Sequence, residues 1–343
     1  MFDLKTLVRP NILALKPYSS ARDEFKGEEG IFLDANENPF GTLNRYPDSY
    51  QKELKQKLSE YNNIAVKNMF VGNGSDEIID LIYRVFCIPG KDKALTFAPT
   101  FGMYQVAADI NDSELLKLPL NEEFQIDKKT LKPYLDDDNL KLIFICSPNN
   151  PTGNCFNETD IQFILNHFNG IVVIDEAYVD FSDRESWNQR FQEYPNLIVT
   201  QTFSKAWGLA SARIGIAYAS DEIIQLLNKV KMPYNISALN EQTAIQALGN
   251  RMTFETNRQI ILEEKENLIQ ELRQLDIIKR IYPSDANFLL VEVEDANEMY
   301  RELVSQKVIT RNRNGLVKNC IRITVGKPIE NKQLLSALKE HIK

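Results

Sequence analysis

Short apolar segments alternate with segments of helical periodicity over the first 220 residues of the chain. The apolar segments are residues 93–99, 140–148, 170–181, 196–204 and 212–220, and helical periodicity is evident at residues 75–86 and 157–168. Strands buried on both faces of a parallel sheet are apolar without a period of two. The pattern therefore predicts an α/β domain in which helices flank a mainly parallel sheet.

The pattern changes beyond residue 220. Two long helical segments occupy residues 220–231 and 250–275, and short apolar strands follow at residues 287–293 and 320–326 beside one further helix. This order predicts a smaller α+β domain that the N-terminal segment joins. We expect the large domain to span residues 36–245, and the small domain to combine residues 1–35 with residues 246–343.

Composition and charge narrow the class of protein. The 343 residues are 43% hydrophobic, with a net charge of −8 and a pI near 5.1. No long basic segment interrupts this acidic balance, which argues against nucleic acid as a partner. No segment reaches the roughly 18 apolar residues of a membrane span, and the first residues lack the apolar core of a secretory signal. We expect a cytoplasmic protein without a membrane partner.

Cysteine and histidine are too sparse or too scattered for several kinds of site. The four cysteines, at positions 87, 146, 155 and 320, form no CxxC pair, which favours reduced thiols over disulfides or zinc. The two histidines, at positions 167 and 341, leave little scope for a histidine general base or a metal site. Acid–base chemistry must therefore depend on Lys, Asp, Glu or Tyr, and we expect no metal.

Candidate ligand-binding residues follow the predicted strands, where α/β sheets bind their ligands. In "VGNGSDEIID" (71–80), glycines precede a helix that begins near Ser75 and Asp76. This arrangement is typical of a phosphate site, although an ordinary helix cap would have the same residues. In "SPNNPTG" (147–153), Asn150 either offers a donor amide to a ligand or belongs to a plain turn.

Two further strand ends carry ionisable residues. Asp175 and Tyr178 follow the strand in "IVVIDEAYVDF"; a buried carboxylate there needs a partner, which could be a protonated ring nitrogen, a helix N-terminus or an arginine. "TFSKAWGLASARIG" (202–215) contains Lys205, whose amine is either a nucleophile of lowered pKa or an ordinary ion-paired lysine. Together, the four motifs predict a pyridoxal phosphate site.

In the order of its motifs, the sequence resembles the fold-type I pyridoxal-phosphate aminotransferases and, among these, the histidinol-phosphate aminotransferases. The resemblance extends over essentially the whole chain, from "NENP" (36–39) through "RYP", "GNGSDE", "PTFGMY", "SPNNPTG", "DEAYVDF" and "TFSKAWGLA" to "IRITVG" (321–326). It implies a large domain built on a seven-stranded type of sheet and a smaller α+β domain.

The resemblance also assigns roles around the cofactor. It implies that Lys205 binds the cofactor covalently and shuttles the proton between the substrate's Cα and the cofactor's C4′, while Asp175 pairs with the pyridine nitrogen. It gives Asn150 and Tyr178 the phenolate oxygen, and it makes Lys205, Asp175 and Tyr178 the catalytic residues. The remaining cofactor contacts that it implies are Gly74, Ser75, Asp76, Ser204 and Arg213 at the phosphate, and Phe101 stacked on the ring, where relatives often carry tyrosine.

Substrate-binding residues are implied in the same way. Arg322 of "IRITVG" and Arg311 of "VITRNR" match positions that bind the substrate's anionic groups, with Arg313 as the alternative to Arg311. Tyr18, Asn36 and Tyr46 match positions that line the substrate and phosphate pocket. The resemblance implies a homodimer in which the second subunit donates Tyr46, so that this residue also reaches the cofactor's phosphate.

The expected reaction is amino transfer between L-histidinol phosphate and 2-oxoglutarate, giving imidazole acetol phosphate and L-glutamate in L-histidine biosynthesis. Two sibling activities would use the same cofactor residues: aromatic-amino-acid aminotransferase and threonine-phosphate decarboxylase. Outside this family, a cofactor-sensing module without catalysis and a structural protein without a cofactor are the alternatives.

Overall fold

The computed structural model describes residues 2–19, 21–25 and 30–341. The strands are β1 Met69–Asn73, β2 Lys93–Ala98, β3 Glu114–Pro119, β4 Leu140–Cys146, β5 Ile171–Asp175, β6 Leu197–Thr202, β7 Ile214–Tyr218, β8 Ile278–Ile281, β9 Phe288–Val293, β10 Arg311–Asn312 and β11 Cys320–Thr324. The α-helices are α1 Leu4–Leu7, α2 Pro10–Ala14, α3 Ala21–Glu24, α4 Lys52–Asn62, α5 Gly74–Phe86, α6 Met103–Ile110, α7 Lys128–Leu131, α8 Glu158–His167, α9 Asp221–Val230, α10 Ala238–Gly249, α11 Arg251–Leu272, α12 Ala296–Ser305 and α13 Pro328–His341. Short 3-10 helices occupy Val66–Asn68, Lys132–Tyr134, Val179–Phe181, Trp187–Gln189 and Ala210–Ala212.

The large sheet has seven strands in the order β1-β7-β6-β5-β4-β2-β3. All neighbouring pairs are parallel except those of β7, which runs antiparallel to both β1 and β6. The carboxyl ends of the other six strands and the start of β7 therefore lie at one edge of the sheet. The predicted α/β fold with a mainly parallel sheet is confirmed.

Helices cover both faces of this sheet. Alternate residues of β5 belong to two different cores: Val172 and Ile174 pack with helices α4, α8 and α10, whereas Ile171 and Val173 pack with α5, α6 and α9. Every residue of β5 and β7 is buried. Burial on both faces accounts for the continuous apolar character of these strands.

A second sheet has four antiparallel strands in the order β10-β11-β9-β8. Helices α11, α12 and α13 cover it, and they contribute the buried residues Leu268, Met299 and Leu338 to its core. This sheet carries Arg322 on β11, with Arg311 directly opposite on β10. The smaller α+β unit predicted from the sequence is thus present.

The N-terminal helices pack on the large sheet's helical layer. Val8 and Ile12 are buried in the core that α5 and α9 share, and the Arg9 backbone N–H donates to the carbonyl of Val85 over 3.0 Å. Residues 1–35 were expected to join the small domain, but the apolar residues of α1 and α2 find their partners on α5 and α9 instead. The exact division of the chain between the two domains stays a prediction.

Several predicted boundaries shift. The predicted strand 170–181 ends at Asp175, because the next residues turn away into the 3-10 helix Val179–Phe181. Strands β1 and β3 and helices α4 and α6 were not among the predicted segments. Within the described residues, no helix combines the length and apolar character needed to cross a membrane. The same residues contain no cluster of His, Cys, Asp and Glu suited to a metal ion.

Candidate active site

The fold brings the sequence-predicted cofactor residues to one edge of the large sheet. Ser75 and Asp76 follow β1, Asn150 follows β4, Tyr178 follows β5, and Lys205 follows β6. Arg213 immediately precedes β7, and it reaches the same edge because β7 alone runs in the opposite direction. Lys205 and Arg213 therefore lie at the two ends of the loop that connects β6 to β7.

A cavity of about 90 Å³ lies at this edge. Its lining includes most of the predicted cofactor residues, namely Ser75, Asp76, Phe101, Asp175, Tyr178, Ser204, Lys205 and Arg213. Lys205 also lines a much larger cleft of about 1050 Å³, which extends towards α11 and the residues that follow β11. Lys205 therefore lies between the small cavity and the larger, solvent-accessible cleft.

One end of the cavity is suited to an anion. Helix α5 begins at Gly74 without a side-chain cap, so that first-turn N–H groups remain for a ligand. The guanidinium of Arg213 lies beside this turn, 3.0 Å from Asp76 Oδ2 and 3.4 Å from Ser204 Oγ. Gly74 has a φ of 75°, a left-handed conformation that favours glycine, and the missing side chain leaves room for the Arg213 guanidinium beside the turn.

The other end carries a buried carboxylate. Asp175 is 2% exposed and, among the described residues, forms no salt bridge. Its Oδ2 accepts a hydrogen bond of 2.8 Å from the Tyr104 hydroxyl, and its Oδ1 accepts one of 3.1 Å from the backbone N–H of Ala177. Burial raises the pKa of Asp175. A cation that entered the cavity would satisfy this carboxylate.

A hydrogen-bonded chain connects the two sheets. Arg322 Nη1 donates to Asn150 Oδ1 over 2.5 Å, and Asn150 Nδ2 donates to the Tyr178 hydroxyl over 3.2 Å. The Arg322 guanidinium also lies over the ring of Phe288, 5.1 Å from its centroid. The predicted substrate arginine is therefore in direct contact with a predicted cofactor residue.

Lys205 is less buried than its apolar sequence neighbours suggest. The side chain is exposed to solvent through the open cleft, while its Nζ lies 5.6 Å from the centroid of the Tyr178 ring. Its pKa is lowered, first by the partial burial of its ammonium group and then by the positive charge of Arg322. Both effects increase the fraction of neutral, nucleophilic amine.

Three arginines of the small sheet lie close to one another, and one of them, Arg322, is the residue that acts on Lys205. Arg311 lies opposite Arg322, and Arg313 follows two residues later. Among the described residues, none of the three has a carboxylate within salt-bridge distance, and Nε of Arg313 and of Arg322 is buried without a partner. Burial, together with the charges of Arg322 and Arg311, lowers the pKa of Arg313 to about 10. Such a cluster is suited to an anionic ligand.

Three predicted substrate residues lie apart from the cavity within one chain. Tyr18 is 66% exposed and outside the cavity, whereas Asn36 and Tyr46 line a separate groove of about 490 Å³. The Tyr46 ring stacks on Tyr234 at 4.5 Å. The structure thus brings together Arg322 and the predicted cofactor residues other than Tyr46, but not Tyr18, Asn36 and Tyr46.

The sequence matches a known protein family over most of its length. The model of the family "Aminotransferase class I and II" matches residues 25–338. The chain belongs to this family. A histidinol-phosphate aminotransferase of Christiangramia forsetii is 50% identical over 99% of this chain and 98% of its own length. One of Cytophaga hutchinsonii is 48% identical over 99% of both chains.

Solved structures of the class I and II fold agree with the architecture. The histidinol-phosphate aminotransferase from Clostridium acetobutylicum superposes with a TM-score of 0.80 at 24% identity, covering 87% of this chain and 91% of its own. The enzyme of the same name from Sinorhizobium meliloti, solved in complex with pyridoxal-5'-phosphate, gives 0.79 at 23% identity, covering 87% and 83%. These likenesses show the aminotransferase fold.

Sequence reasoning missed several residues at this aminotransferase site. Tyr104, which contacts Asp175, closes the "PTFGMY" motif but received no role. Thr202 and Cys146, the last residues of β6 and β4, also line the small cavity. The sequence could have indicated Thr202 and Cys146, because α/β sheets bind ligands at the carboxyl ends of their strands and both residues end a strand, as Asp175 does.

Proposed function

We propose that the chain is a pyridoxal-phosphate-dependent transaminase that exchanges an amino group between L-histidinol phosphate and 2-oxoglutarate, giving imidazole acetol phosphate and L-glutamate. The observation that carries the cofactor assignment is Asp175, a buried carboxylate that forms no salt bridge with any described residue and lines the same cavity as Lys205. The substrate follows from curated relatives at 46–50% identity that are named histidinol-phosphate aminotransferases.

The residues present fit pyridoxal phosphate at both ends of the cavity. The uncapped start of α5, Ser204 and Arg213 would bind the phosphate, and Asp175 would pair with the ring nitrogen. When bound, the cofactor supplies an electron sink that stabilises negative charge developing at the substrate's Cα. Phe101 lines the cavity, so that its aromatic face is available to the ring.

The chain's own residues would then bind and orient the cofactor and move a proton during the reaction. Lys205 would hold the cofactor, and its neutral amine would carry the proton between the substrate's Cα and the cofactor's C4′. Asn150 and Tyr178, already hydrogen-bonded to each other, would donate to the phenolate oxygen. The lowered pKa of Lys205 favours the neutral amine that this base role requires.

The arginine cluster accounts for two dissimilar substrates. L-histidinol phosphate carries a phosphate and 2-oxoglutarate carries carboxylates, and a planar guanidinium binds either group with two hydrogen bonds. Arg322 stands nearest the cofactor residues, while Arg313 is more buried than Arg311 and has an unpartnered Nε. We assign the first anion contact to Arg322 and the second to Arg311 or Arg313.

We also propose that the chain acts as a homodimer and that it is located in the cytoplasm. Tyr46 lies outside the cavity of its own chain, as expected if it serves the site of a second subunit. Around it, Phe40 is 82% exposed and Leu43 is 65% exposed, which is unusual for a surface that faces only water. Asn36 and Tyr18 are proposed to complete the pocket in that assembly.

A panel of amino donors tests the proposed reaction. Purified protein reconstituted with pyridoxal phosphate is mixed with 2-oxoglutarate and one amino donor at a time. The donors are L-histidinol phosphate, L-phenylalanine and L-threonine phosphate, and the formation of glutamate and of carbon dioxide is measured. We expect L-histidinol phosphate to be the preferred donor. Clear preference for phenylalanine would favour the aromatic aminotransferase, and carbon dioxide release from threonine phosphate would favour the decarboxylase.

The Lys205→Ala variant is the control for the panel. Since general acid–base catalysis by a positioned group typically contributes about 100- to 10,000-fold, this variant should lose nearly all turnover and the visible absorbance of lysine-bound cofactor. Turnover within tenfold of wild type would refute the role of Lys205. A wild-type protein that remains colourless with pyridoxal phosphate would refute the cofactor assignment itself.

A further inference from the structure

Tyr104 is a fully buried tyrosine whose hydroxyl touches the carboxylate of Asp175. It is the second residue of α6, and its ring is held by a stacked contact with Phe144 at 4.9 Å and an edge contact with Phe101 at 5.6 Å. The hydroxyl donates to Asp175 Oδ2 over 2.8 Å. The ring cannot reorient without disturbing two aromatic neighbours, so the direction of this hydrogen bond is fixed by packing.

Asp175 depends on this donor to an unusual degree. Among the described residues, only the Tyr104 hydroxyl and the Ala177 N–H donate to its carboxylate. Burial works against the charged form of such a group, whereas a hydrogen bond to the charged form favours it. Hydrogen bonds to a charged group are also stronger than those between neutral groups, and they restrict the rotation of the carboxylate.

We propose that Tyr104 is a positioning residue, which holds the Asp175 carboxylate in the orientation that pairs with the cofactor's protonated ring nitrogen. The inference rests on the proposed function, since it assumes that pyridoxal phosphate occupies the cavity. Tyr104 acts through Asp175 and needs no contact of its own with the substrate. Its hydroxyl therefore contributes to cofactor affinity and to the ionisation of the bound ring.

Tyr83 offers a matched control in the same aromatic stack. It is fully buried, stacks on Phe144 at 5.3 Å, and donates its hydroxyl to the backbone carbonyl of Tyr104 over 3.1 Å. Tyr83→Phe and Tyr104→Phe each delete one buried hydroxyl and leave both rings in place. Only the second deletion removes a donor from Asp175, so a general loss of packing would affect both variants alike.

The experiment measures the two variants beside wild type. Each apoprotein is titrated with pyridoxal phosphate, the absorbance of the bound cofactor is recorded against pH, and kcat and KM are determined. We expect Tyr104→Phe to weaken cofactor binding by about tenfold, to shift the pH at which the bound cofactor changes its absorbance, and to lower kcat more than it changes KM. Tyr83→Phe should remain within about twofold of wild type in all three.

Two outcomes separate this inference from the proposed function. If wild type binds the cofactor and transfers amino groups, but folded Tyr104→Phe behaves like Tyr83→Phe, the positioning role is wrong and the proposed function stands. If wild type binds no cofactor, the proposed function fails first. Thermal melting of each apoprotein establishes that the variants are folded.

A double variant keeps the test decisive if Tyr104→Phe is unstable. Asp175→Asn removes the buried charge, so Asp175→Asn with Tyr104→Phe leaves no carboxylate that requires the hydroxyl. Because Tyr104 acts through that carboxylate, the double variant should bind pyridoxal phosphate within about twofold of Asp175→Asn alone. A further tenfold loss in the double variant would overturn the inference.

Discussion

The pKa of the Lys205 amine depends on its burial and on charges from both sheets. Partial burial lowers its pKa first, and the guanidinium of Arg322, on β11, lowers it further. Asp175 and Asp76 act in the other direction, since their negative charges favour the ammonium form. The reactivity of the lysine towards the cofactor's aldehyde is thus linked to a residue proposed to bind substrate.

Replacing Arg322 should change the pH dependence of cofactor attachment. In Arg322→Gln the neighbouring positive charge is lost, so the pKa of Lys205 rises and the neutral amine forms only at higher pH. The rate of cofactor attachment, followed by the absorbance of the bound cofactor, increases with pH. In Arg322→Gln this increase should occur at a higher pH than in wild type. Stopped-flow absorbance after mixing with pyridoxal phosphate, repeated across pH, measures this profile.

Arg311→Gln is the control for this charge effect. Arg311 lies directly opposite Arg322, and it is not among the charges that shift the pKa of Lys205 most. The same loss of one positive charge should therefore leave the attachment profile unchanged. A profile that does not move in Arg322→Gln, or that moves to lower pH, would contradict the assigned cause.

Individual site residues could be predicted from the sequence where an ionisable side chain follows an apolar strand. Lys205 and Asp175 stood out because ionisable groups beside apolar strands require a reason. Tyr104 did not, because an apolar helix that contains a tyrosine looks like ordinary core. Its partner, Asp175, lies 71 residues further along the chain, and only the fold brings the two together.

At the scale of elements, the phosphate end depends on how closely α5 approaches β7. Gly215 of β7 lies opposite Gly72 of β1, and a Cβ on Gly215 would come within 2.4 Å of the backbone nitrogen of Ser75. The clash is with backbone, which cannot turn aside as a flexible side chain can. The small residues in "SARIG" therefore allow the start of the helix to lie against the strand.

Gly215→Ala should damage phosphate binding specifically. The added methyl group pushes the first turn of α5 away from β7, which we expect to cost about 1–3 kcal/mol in the free energy of unfolding. Affinity for pyridoxal phosphate should fall by about tenfold or more, while affinity for pyridoxal, which lacks the phosphate, changes less. Fluorescence titration of the apoprotein with each compound, together with urea unfolding, measures both effects.

Gly249→Ala provides the comparison for this substitution. Gly249 ends α10, and a Cβ there meets nothing within 4 Å. Its two affinities and its stability should stay near those of wild type. Equal pyridoxal phosphate affinities for Gly215→Ala and Gly249→Ala would show that the contact between α5 and β7 is not needed for the phosphate.

Strands β1 and β3 escaped prediction, and each did so for its own physical reason. Among the described strands, β3 is an edge strand that pairs with β2 alone. Most of its residues are at least partly exposed, so it lacks an apolar run. Strand β1 is short and contains Gly72, which weakens its strand signal. The antiparallel direction of β7 was also unpredictable, since a residue pattern that indicates burial on both faces has no direction.

For the molecule as a whole, the segment from residue 31 to residue 46 carries apolar side chains that its own chain leaves uncovered. Ile31 and Leu33 are 91% and 89% exposed. The turn around Tyr46 is nevertheless held by Glu37, whose carboxylate accepts hydrogen bonds from Arg22, Arg45 and the Tyr46 backbone N–H. Apolar side chains that are exposed on a segment fixed by hydrogen bonds indicate a surface that binds a partner. The partner proposed above is a second copy of the chain.

Mixed dimers can decide whether Tyr46 serves its own chain or the other. A Lys205→Ala chain and a Tyr46→Ala chain, coexpressed with different tags and purified through both, form dimers in which one site pairs an intact Lys205 with the partner's intact Tyr46. We expect such dimers to regain about half of wild-type activity, although each parent dimer is nearly inactive.

The matching control combines Lys205→Ala with Asp175→Ala. Both residues line the same cavity of one chain, so each site in that mixed dimer keeps a defect and activity should stay low. If the Lys205→Ala and Tyr46→Ala pair regains no activity, Tyr46 does not act across subunits, and sedimentation as a monomer would exclude the dimer altogether. Recovery in the first pair alone would mean that one chain cannot form a complete site, because the residues that hold the cofactor and the tyrosine that reaches its phosphate come from different copies.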